Sequence, residues 1–495
     1  MARVKMPTDF VIRSAVGGDL SDTGASRIAT KIVCTVGPAS NSRVILSKMI
    51  HAGADVLRLN FAHGTQEEQS RDIRTIREVS RRLQHPVAIL QDLPGPKLRV
   101  GKLSLEPLHL KRHDQVTLTT KAASAKAKIP ISYPGLPKAV KKGDAIFLAD
   151  GSIRIEVLRT SRDEVLGRVL NGGDLTSGKG VNLPRLRMRL PAVTEEDKKH
   201  LQFGLEQGTD IIGVSFVQKP EDIAAARKAA ADFGHKVFVI AKIEKREAVE
   251  NLESIVREAD GVMVARGDLG VELTIERVPI IQKRIIHEAN KAGKPVITAT
   301  QMLESMVTQP SPTRAEVADV ANAIIDGTDA VMLSEETAVG KYPLEAVEVL
   351  RRVAHETEKY LPQEITPARR AWHERSQEDA LALAGCETAL EVSASAIVTP
   401  TRSGQTARRV SKYHPSLPIV ALTPSEKVQR QLNLSWGVRA LLGPEGDSME
   451  AIFHNAERAI KSLGYAKKGD RIVIVAGDPK GPTGRTDLVK VQTIS

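Results

Sequence analysis

Aromatic residues are scarce, with Phe, Trp and Tyr making up 3% of the 495 residues. Rows of stacked rings, the usual grip on single-stranded nucleic acid, have little material here. Cysteine is scarcer still: the two present, Cys34 and Cys386, lie far apart with no CxxC or Cys/His grouping. That argues against a disulfide framework and against a zinc site. The opening MARVKMPTDFVIRSAVGG lacks the continuous apolar segment of a secretory signal. Nowhere is there the run of about 20 apolar residues that a membrane-spanning helix needs. Long blocks of one charge are also missing, the densest basic cluster being PRLRMRLP at 184–191. These absences lead to the expectation of a soluble, cytoplasmic protein of a reducing compartment, with neither nucleic acid nor membrane as partner.

What is present is ordinary globular material, 41% hydrophobic and 26% charged, in a chain long enough for two to four domains. The charge balance, 71 basic against 60 acidic residues or +11, is compatible with small anionic substrates.

From about residue 29, short β-branched runs alternate with amphipathic segments of helical period. TKIVCTVG is followed by the helix SNSRVILSKMIHAG, ADVLRLNF by TQEEQSRDIRTIREVSRRL, and VAILQDL is the third strand. Thr65 and Glu68 have capping-box spacing. The alternation stops for about a hundred residues. It then resumes with GTDIIGVSF, KVFVIAKIE, DGVMVARGD, KPVITATQM and GTDAVMLSEE, with helices such as PEDIAAARKAAADFG between them. Eight βα units most simply close into a (β/α)8 TIM barrel, an open doubly wound sheet being the alternative. The interruption carries short strands broken by Gly and Asp (KRHDQVTLTT, GDAIFLADGSIRIEVL, EVLGRVLNGGD), as expected of a small all-β module. After about residue 360, SASAIVTPT, LPIVALTP and DRIVIVAGD suggest an open α/β domain. The expected organisation is an N-terminal extension (1–27), a barrel (28–92 and 192–360), an inserted all-β lid (93–191) and a C-terminal α/β domain (361–495).

Barrel chemistry gathers where strands end in loops. Strand two ends with Arg58, Asn60 and His63, and strand three with Asp92. Strand five supplies Lys242 and Glu244, strand six Arg266, Gly267 and Asp268, strand seven Thr300, and strand eight Ser334, Glu335 and Glu336. Charges at strand ends are often mere exits into solvent. Six ends converging on one rim ask for more. Lys242 and Glu244, two apart on a strand, point to the same side. Glu244 and Asp268 offer two hard oxygen ligands suited to Mg2+ or Mn2+. Arg58, Lys242 and Arg99 around such an ion make a cradle for phosphoryl groups. A plain ion pair between Lys242 and Glu244 or Asp268 would leave the arginines unexplained. GDLTSGKG (173–180) nearly spells a phosphate loop, but Gly180 replaces the required hydroxyl residue and no helix follows.

These residues carry a specific resemblance to the pyruvate kinase family. LRLNFAHG (57–64), IAKIEKREAVENL (240–252), VMVARGDLGVE (262–272), PVITATQMLESM (295–306), PTRAEVADVANAIIDGTDAVML (312–333) and SGQTARRVSKYHP (403–415) resemble its signatures. The similarity runs from about residue 28 to the C-terminus. It implies a barrel with a lid inserted after strand three, a C-terminal α/β domain and a homotetramer. The implied reaction is phosphoryl transfer from phosphoenolpyruvate to ADP, giving pyruvate and ATP, the last step of glycolysis. By the same resemblance, Glu244 and Asp268 hold the divalent ion, and Lys242 neutralises the phosphoryl group in flight and the enolate left behind. The amides near Gly267 and Asp268, with Thr300, hold the substrate carboxylate. Arg58, Asn60, His63 and Arg99 face the phosphates, and Lys179 reaches the nucleotide from the lid. A threonine hydroxyl is too weak an acid to protonate the enolate alone. Thr300 is therefore expected to pass a proton through water, with Ser334 and Glu336 behind it. The loop Thr401, Arg402, Ser403, Gly404, Gln405 and Thr406 resembles the family's effector-phosphate loop, and hydroxyls and free amides before a helix suit phosphate.

The sequence departs from the family at the stretch LQDLPGPKLRVG (90–101). The family pattern, N-F-S-H-G and D-T-K-G-P-E-I-R, holds an essential K+ with Asn, Ser and Asp side chains and a Thr carbonyl. Here Asn60 and Asp92 remain, while Ala62 stands for the serine, Leu93 for the threonine and Lys97 for the glutamate. A tethered ammonium thus takes the place of a carboxylate that favoured a cation. The expectation is that Lys97 supplies the missing positive charge and that K+ is not required. Glu335, where the family more often has glycine, either tunes the proton relay or faces solvent. Two rivals remain: a divalent-metal barrel lyase acting on pyruvate enolates, and a non-catalytic effector-binding relic of the kinase. The first would not need the lid or Lys242, and the second would have lost Lys242, Glu244 or Asp268.

Overall fold

The computed structural model describes residues 28–121, 128–149, 151–183, 191–372, 376–444, 446–481 and 484–495. The N-terminal extension and nearly all of the basic cluster 184–191 lie outside them.

Eight parallel strands close into a barrel: Lys31–Thr35, Ala54–Asn60, Ala88–Asp92, Ile211–Val214, Phe238–Ile243, Gly261–Ala265, Val296–Ala299 and Ala330–Leu333. Each pairs in parallel with its neighbours, and the eighth returns to the first through Lys31↔Ala330. Alternate residues explain why strands that read as continuous apolar runs are buried on both faces. Val33, Val56, Leu90, Ile211, Ile240, Met263, Ile297 and Met332, one from each strand, pack together inside the barrel. Their neighbours Ile32, Leu57, Ile89 and Val331 turn outward against helices. Burying a branched aliphatic side chain contributes about 1.5–3 kcal/mol.

The helices follow their sequence signals. Arg43–Ala52 starts at the Ser42 cap and stops at Gly53, which adopts a left-handed φ of 118°. Gln66–Arg82 begins with the Thr65/Glu68 capping box.

Between Asp92 and the helix Glu195–Glu206 lies the inserted module, with a core of its own. A six-stranded sheet runs Val181–Asn182, Ala145–Leu148, Ile153–Thr160, Glu164–Asn171, Gln115–Thr119, Lys128–Pro130, beside a two-stranded ribbon. One helical turn, Leu136–Ala139, departs from the all-β expectation. The phosphate-loop decoy forms strand at Gly173–Leu175, and strand rather than helix follows it.

The C-terminal sheet has the order Val438–Leu442, Ile419–Thr423, Ile397–Pro400, Arg471–Ala476, Leu488–Thr493, the last antiparallel. This domain docks on the barrel's N-terminal mouth. Leu434 joins the barrel's interior cluster. Arg430 Nε reaches Asp210 Oδ1 at 2.8 Å, and the Trp436 amide donates to Asp329 Oδ1 at 3.0 Å. His414 stacks on Trp436 with ring centroids 4.3 Å apart.

Candidate active site

The opposite, C-terminal rim of the barrel carries the charged strand ends. At strands two and three, Arg58 grips Asp92 Oδ2 with Nε at 2.7 Å and an Nη at 2.6 Å. Its other Nη donates to Thr35 Oγ1 at 2.9 Å. Asp92 is 2% exposed. Burial alone would raise its pKa, but Lys242 and Arg58 together hold it below the usual carboxylate range. It is ionised throughout the neutral range.

Lys242 is the hub. Its ammonium lies 3.1 Å from Asp92 Oδ1, 2.9 Å from Glu244 Oε1 and 2.7 Å from Ser215 Oγ. Burial opposes its charge, yet the two carboxylates outweigh that and raise its pKa above the ordinary lysine value. Lys242 is a permanent cation here and cannot serve as a base. The expected same-side placement of Lys242 and Glu244 is therefore found, and the ion pair it allowed exists as well. Glu244 Oε2 also accepts the Phe216 amide at 2.8 Å. Burial and then the Asp268 charge push the Glu244 carboxyl upward, against the pull of Lys242. A buried carboxylate whose ionisation is opposed by a second carboxylate beside it fits a divalent cation. Among the described residues no group of three or more His, Cys, Asp or Glu could hold a metal ion. A metal on Glu244 and Asp268 would take its other ligands from substrate oxygens and water.

Beside this, Gly267 N donates to Thr300 Oγ1 at 2.9 Å, and that hydroxyl donates to the Ala299 carbonyl at 2.6 Å. Thr300 has φ of 66° and Gln301 of 55°, unusual for residues with a Cβ. Arg266 pins this turn by donating to the Thr300 carbonyl and pairing with Asp319 at 2.5 Å. Arg266 thus commits its guanidinium to holding this turn. The Glu336 carboxylate accepts the Ser334 amide at 2.6 Å and the Leu303 amide at 3.1 Å. Its burial pushes the pKa up, against these backbone bonds. Ser334 Oγ is buried with no partner. No hydrogen bond joins Thr300 to Ser334 or Glu336 among the described residues. Glu335 is exposed.

The residues expected to face the phosphates lie on the same rim and lid junction. Burial, then the charges of Arg99, Arg58, Lys97 and Lys179, lower the His63 pKa below the ordinary histidine value. Arg99 donates to the Gly178 carbonyl at 3.0 Å, tying the junction to the lid loop that carries Lys179. Asn60 Oδ1 accepts the Ala62 amide at 3.1 Å. The Leu93 side chain packs in the barrel's outer core, and its carbonyl accepts from Ser215 Oγ at 2.7 Å. Lys97 is half-buried on the barrel–lid junction, beside Phe216 and Lys245.

Two neighbours of these side chains were absent from the strand-end reading, Thr35 beside Arg58 and Ser215 beside Lys242. They end strands one and four, for which no charged residue stood out. The same strand-end rule applied to neutral hydroxyls would have found both.

Comparison with known proteins agrees with this geometry. The model of the pyruvate kinase barrel domain matches residues 27–347, and that of the pyruvate kinase alpha/beta domain matches residues 379–492. The chain belongs to the pyruvate kinase family. It is 46% identical to pyruvate kinase 2 of Synechocystis, over 94% of this chain and 79% of that protein. It is 43% identical to the pyruvate kinase of Clostridium acetobutylicum, over 94% and 99% of the two chains. With the pyruvate kinase of Geobacillus stearothermophilus it shares 45% identity, over 94% and 80%. The chain is accordingly a phosphotransferase, and both rivals fall away. No helix among the described residues is long and apolar enough to cross a membrane.

Far from the rim, the loop 401–406 is folded on itself. Thr401 Oγ1 accepts the Gly404 amide at 2.9 Å, and Gly404 has φ of 81°. Thr406 Oγ1 meets Thr486 Oγ1 at 3.3 Å, and Arg402 donates to the Pro479 carbonyl at 2.8 Å. The loop borders a cavity also lined by Asn455, Asp478 and Arg485.

Proposed function

We propose that the rim transfers the phosphoryl group of phosphoenolpyruvate to ADP without needing K+. The observation that carries this is Lys242, a buried ammonium held between Asp92 and Glu244 and flanked by Arg58. Arg58, with three of its N–H groups used on Asp92 and Thr35, keeps others to bind phosphoryl oxygens. Lys242 offsets charge on the moving phosphoryl group and on the enolate. Glu244 and Asp268 would hold Mg2+ or Mn2+, which would supply positive charge to offset that of the substrate oxygens. Gly267, Asp268 and Thr300 orient the substrate carboxylate. Asn60, His63, Arg99 and Lys179 bind the nucleotide phosphates. Depressed in pKa, His63 stays neutral and can donate or accept one hydrogen bond without adding to the positive charge. Thr300 passes the final proton through water, with Ser334 and Glu336 behind it.

Lys97 stands in for the monovalent cation. Ala62 offers no hydroxyl ligand, and the Leu93 carbonyl already accepts a hydrogen bond. The loop Thr401–Thr406 takes a phosphate of an allosteric effector, and the protein works as a cytoplasmic homotetramer. The units 28–92 with 192–360, 93–191 and 361–495 act as barrel, lid and effector domain.

The test couples ATP formation from phosphoenolpyruvate and ADP to a luminescent readout, for wild type and Lys242→Met. Rapid ATP formation lost in the variant is the expected outcome. An active Lys242→Met protein refutes the assignment of the hub. Repeating the assay over a panel of sugar phosphates and nucleotides tests the effector loop.

A further inference from the structure

We propose that Ser215 is a positioning residue that occupies the third N–H of Lys242 and yields it to the transferring phosphoryl group. This rests on the role of Lys242 given above.

An ammonium has three N–H donors and no acceptor. Those of Lys242 meet three protein oxygens: Ser215 Oγ at 2.7 Å, Glu244 Oε1 at 2.9 Å and Asp92 Oδ1 at 3.1 Å. All its donors are therefore committed, and a phosphoryl oxygen must displace one of them. The direction of each bond is fixed by counting protons. Lys242 can only donate, so Ser215 Oγ accepts from it and must send its single proton elsewhere. The Leu93 carbonyl lies 2.7 Å away, whereas Asp92 Oδ1 is at 3.5 Å, the limit of a hydrogen bond. The chain runs from Lys242 to Ser215 to the Leu93 carbonyl.

Of the three acceptors only Ser215 is uncharged. An ammonium bonded to a carboxylate gains the attraction of opposite charges, which a hydroxyl acceptor does not supply. Releasing Ser215 thus costs least, while Asp92 and Glu244 keep the ammonium aimed.

Ser215 is also rigidly placed. It is 3% exposed, and the next residue, Phe216, sits at φ of 56° with its amide on Glu244 Oε2. On its other side is Gly95 of the barrel–lid junction, itself at φ of 66°. A Cβ on Gly95 would come within 3.0 Å of both Ser215 Cβ and the Phe216 ring. One buried hydroxyl therefore joins the Leu93 backbone at the start of the lid junction to the ammonium at the rim, with Gly95 packed closely against Ser215. A displaced junction would move the resting place of Lys242.

The test is steady-state kinetics of ATP formation for wild type, Ser215→Ala, Ser215→Thr and Lys242→Met, with melting temperatures. Mispositioning a catalytic group by an ångström costs about 100-fold in rate. Ser215→Ala is expected to lose about 10- to 100-fold in kcat, with KM for phosphoenolpyruvate changed by less than about threefold. Ser215→Thr, which keeps the hydroxyl, is expected to recover most of that rate. Ser215→Ala with wild-type kcat overturns the inference, as do equal losses in the Ala and Thr variants or a loss confined to KM. A wild type that makes no ATP, or an unimpaired Lys242→Met, overturns instead the functional reading on which the inference rests.

Discussion

Arg58 and Asp92 form a two-pronged ion pair, with Nε and an Nη of the arginine both on Asp92 Oδ2 at 2.7 and 2.6 Å. The same carboxylate uses its other oxygen on Lys242 at 3.1 Å. One buried anion therefore aims two cations contributed by different strands. Its charge offsets the repulsion between these two cations in a medium that screens poorly.

Asp92→Asn removes that anion while conserving volume. A buried pair that loses one charged partner costs about 3–5 kcal/mol. The variant is expected to lose at least about 100-fold in kcat and to melt at a lower temperature. Kinetics and thermal unfolding of the same preparation check both.

Lys97 makes a second claim testable in solution. With a divalent ion present and K+ replaced by tetramethylammonium, wild-type turnover is expected to stay within about twofold, since the tethered charge remains. Lys97→Glu restores a carboxylate at the junction, and its activity is expected to rise with added K+. A wild type that slows many-fold without K+ sinks the assignment.

Glu244 and Asp268 are expected to set the divalent-ion requirement. Glu244→Gln and Asp268→Asn each remove one anionic ligand, and the Mg2+ concentration for half-maximal rate should rise at least about tenfold. Direct Mn2+ binding followed by electron paramagnetic resonance gives a readout independent of turnover.

His414 carries a pH prediction at the domain interface. Its Nδ1 faces an Arg369 N–H at 3.1 Å, so the ring proton sits on Nε2, which is buried without a partner. Burial, then the Arg369 charge, hold its pKa well below 6.5. Once the pH falls through about 6.5, unfolded histidine takes up a proton that the folded ring refuses. The stability contributed by neutral His414 is thus full above that pH and is lost as pH falls. Asp329 in the same interface, raised to about 7 by burial, acts in the opposite sense, so comparison with a variant is needed. His414→Phe keeps the stack on Trp436 and does not titrate. Relative to it, the wild type is expected to lose melting temperature between pH 7 and pH 5. Parallel pH profiles for the two proteins would contradict this.

Much of the barrel was legible because it is written in local pattern. Each strand is an apolar run ending in polar residues, and helices show their period and, as at Ser42 and at Thr65 with Glu68, their caps. The rim was partly legible for the same reason, since a charge ending an apolar strand is conspicuous. Thr35 and Ser215 escaped because a hydroxyl at a strand end carries no such contrast. In the C-terminal sheet, Val438–Leu442 and Leu488–Thr493 also escaped. The first, VRALL, has helix-forming composition, and the second is a half-exposed edge strand with weak alternation.

The sequence by itself determined the eight βα units and the interruption after Asp92, and its resemblance to the pyruvate kinase family set Ala62, Leu93 and Lys97 apart from that family's potassium-binding pattern. Periodicity and residue identity are local properties, readable without coordinates. Only the tertiary structure decided how the three donors of Lys242 are shared, because that depends on strand-end atoms far apart in the chain. Closing the barrel brings residues 92, 215, 242 and 244 to one ammonium, and proton counting there makes Ser215 the uncharged partner.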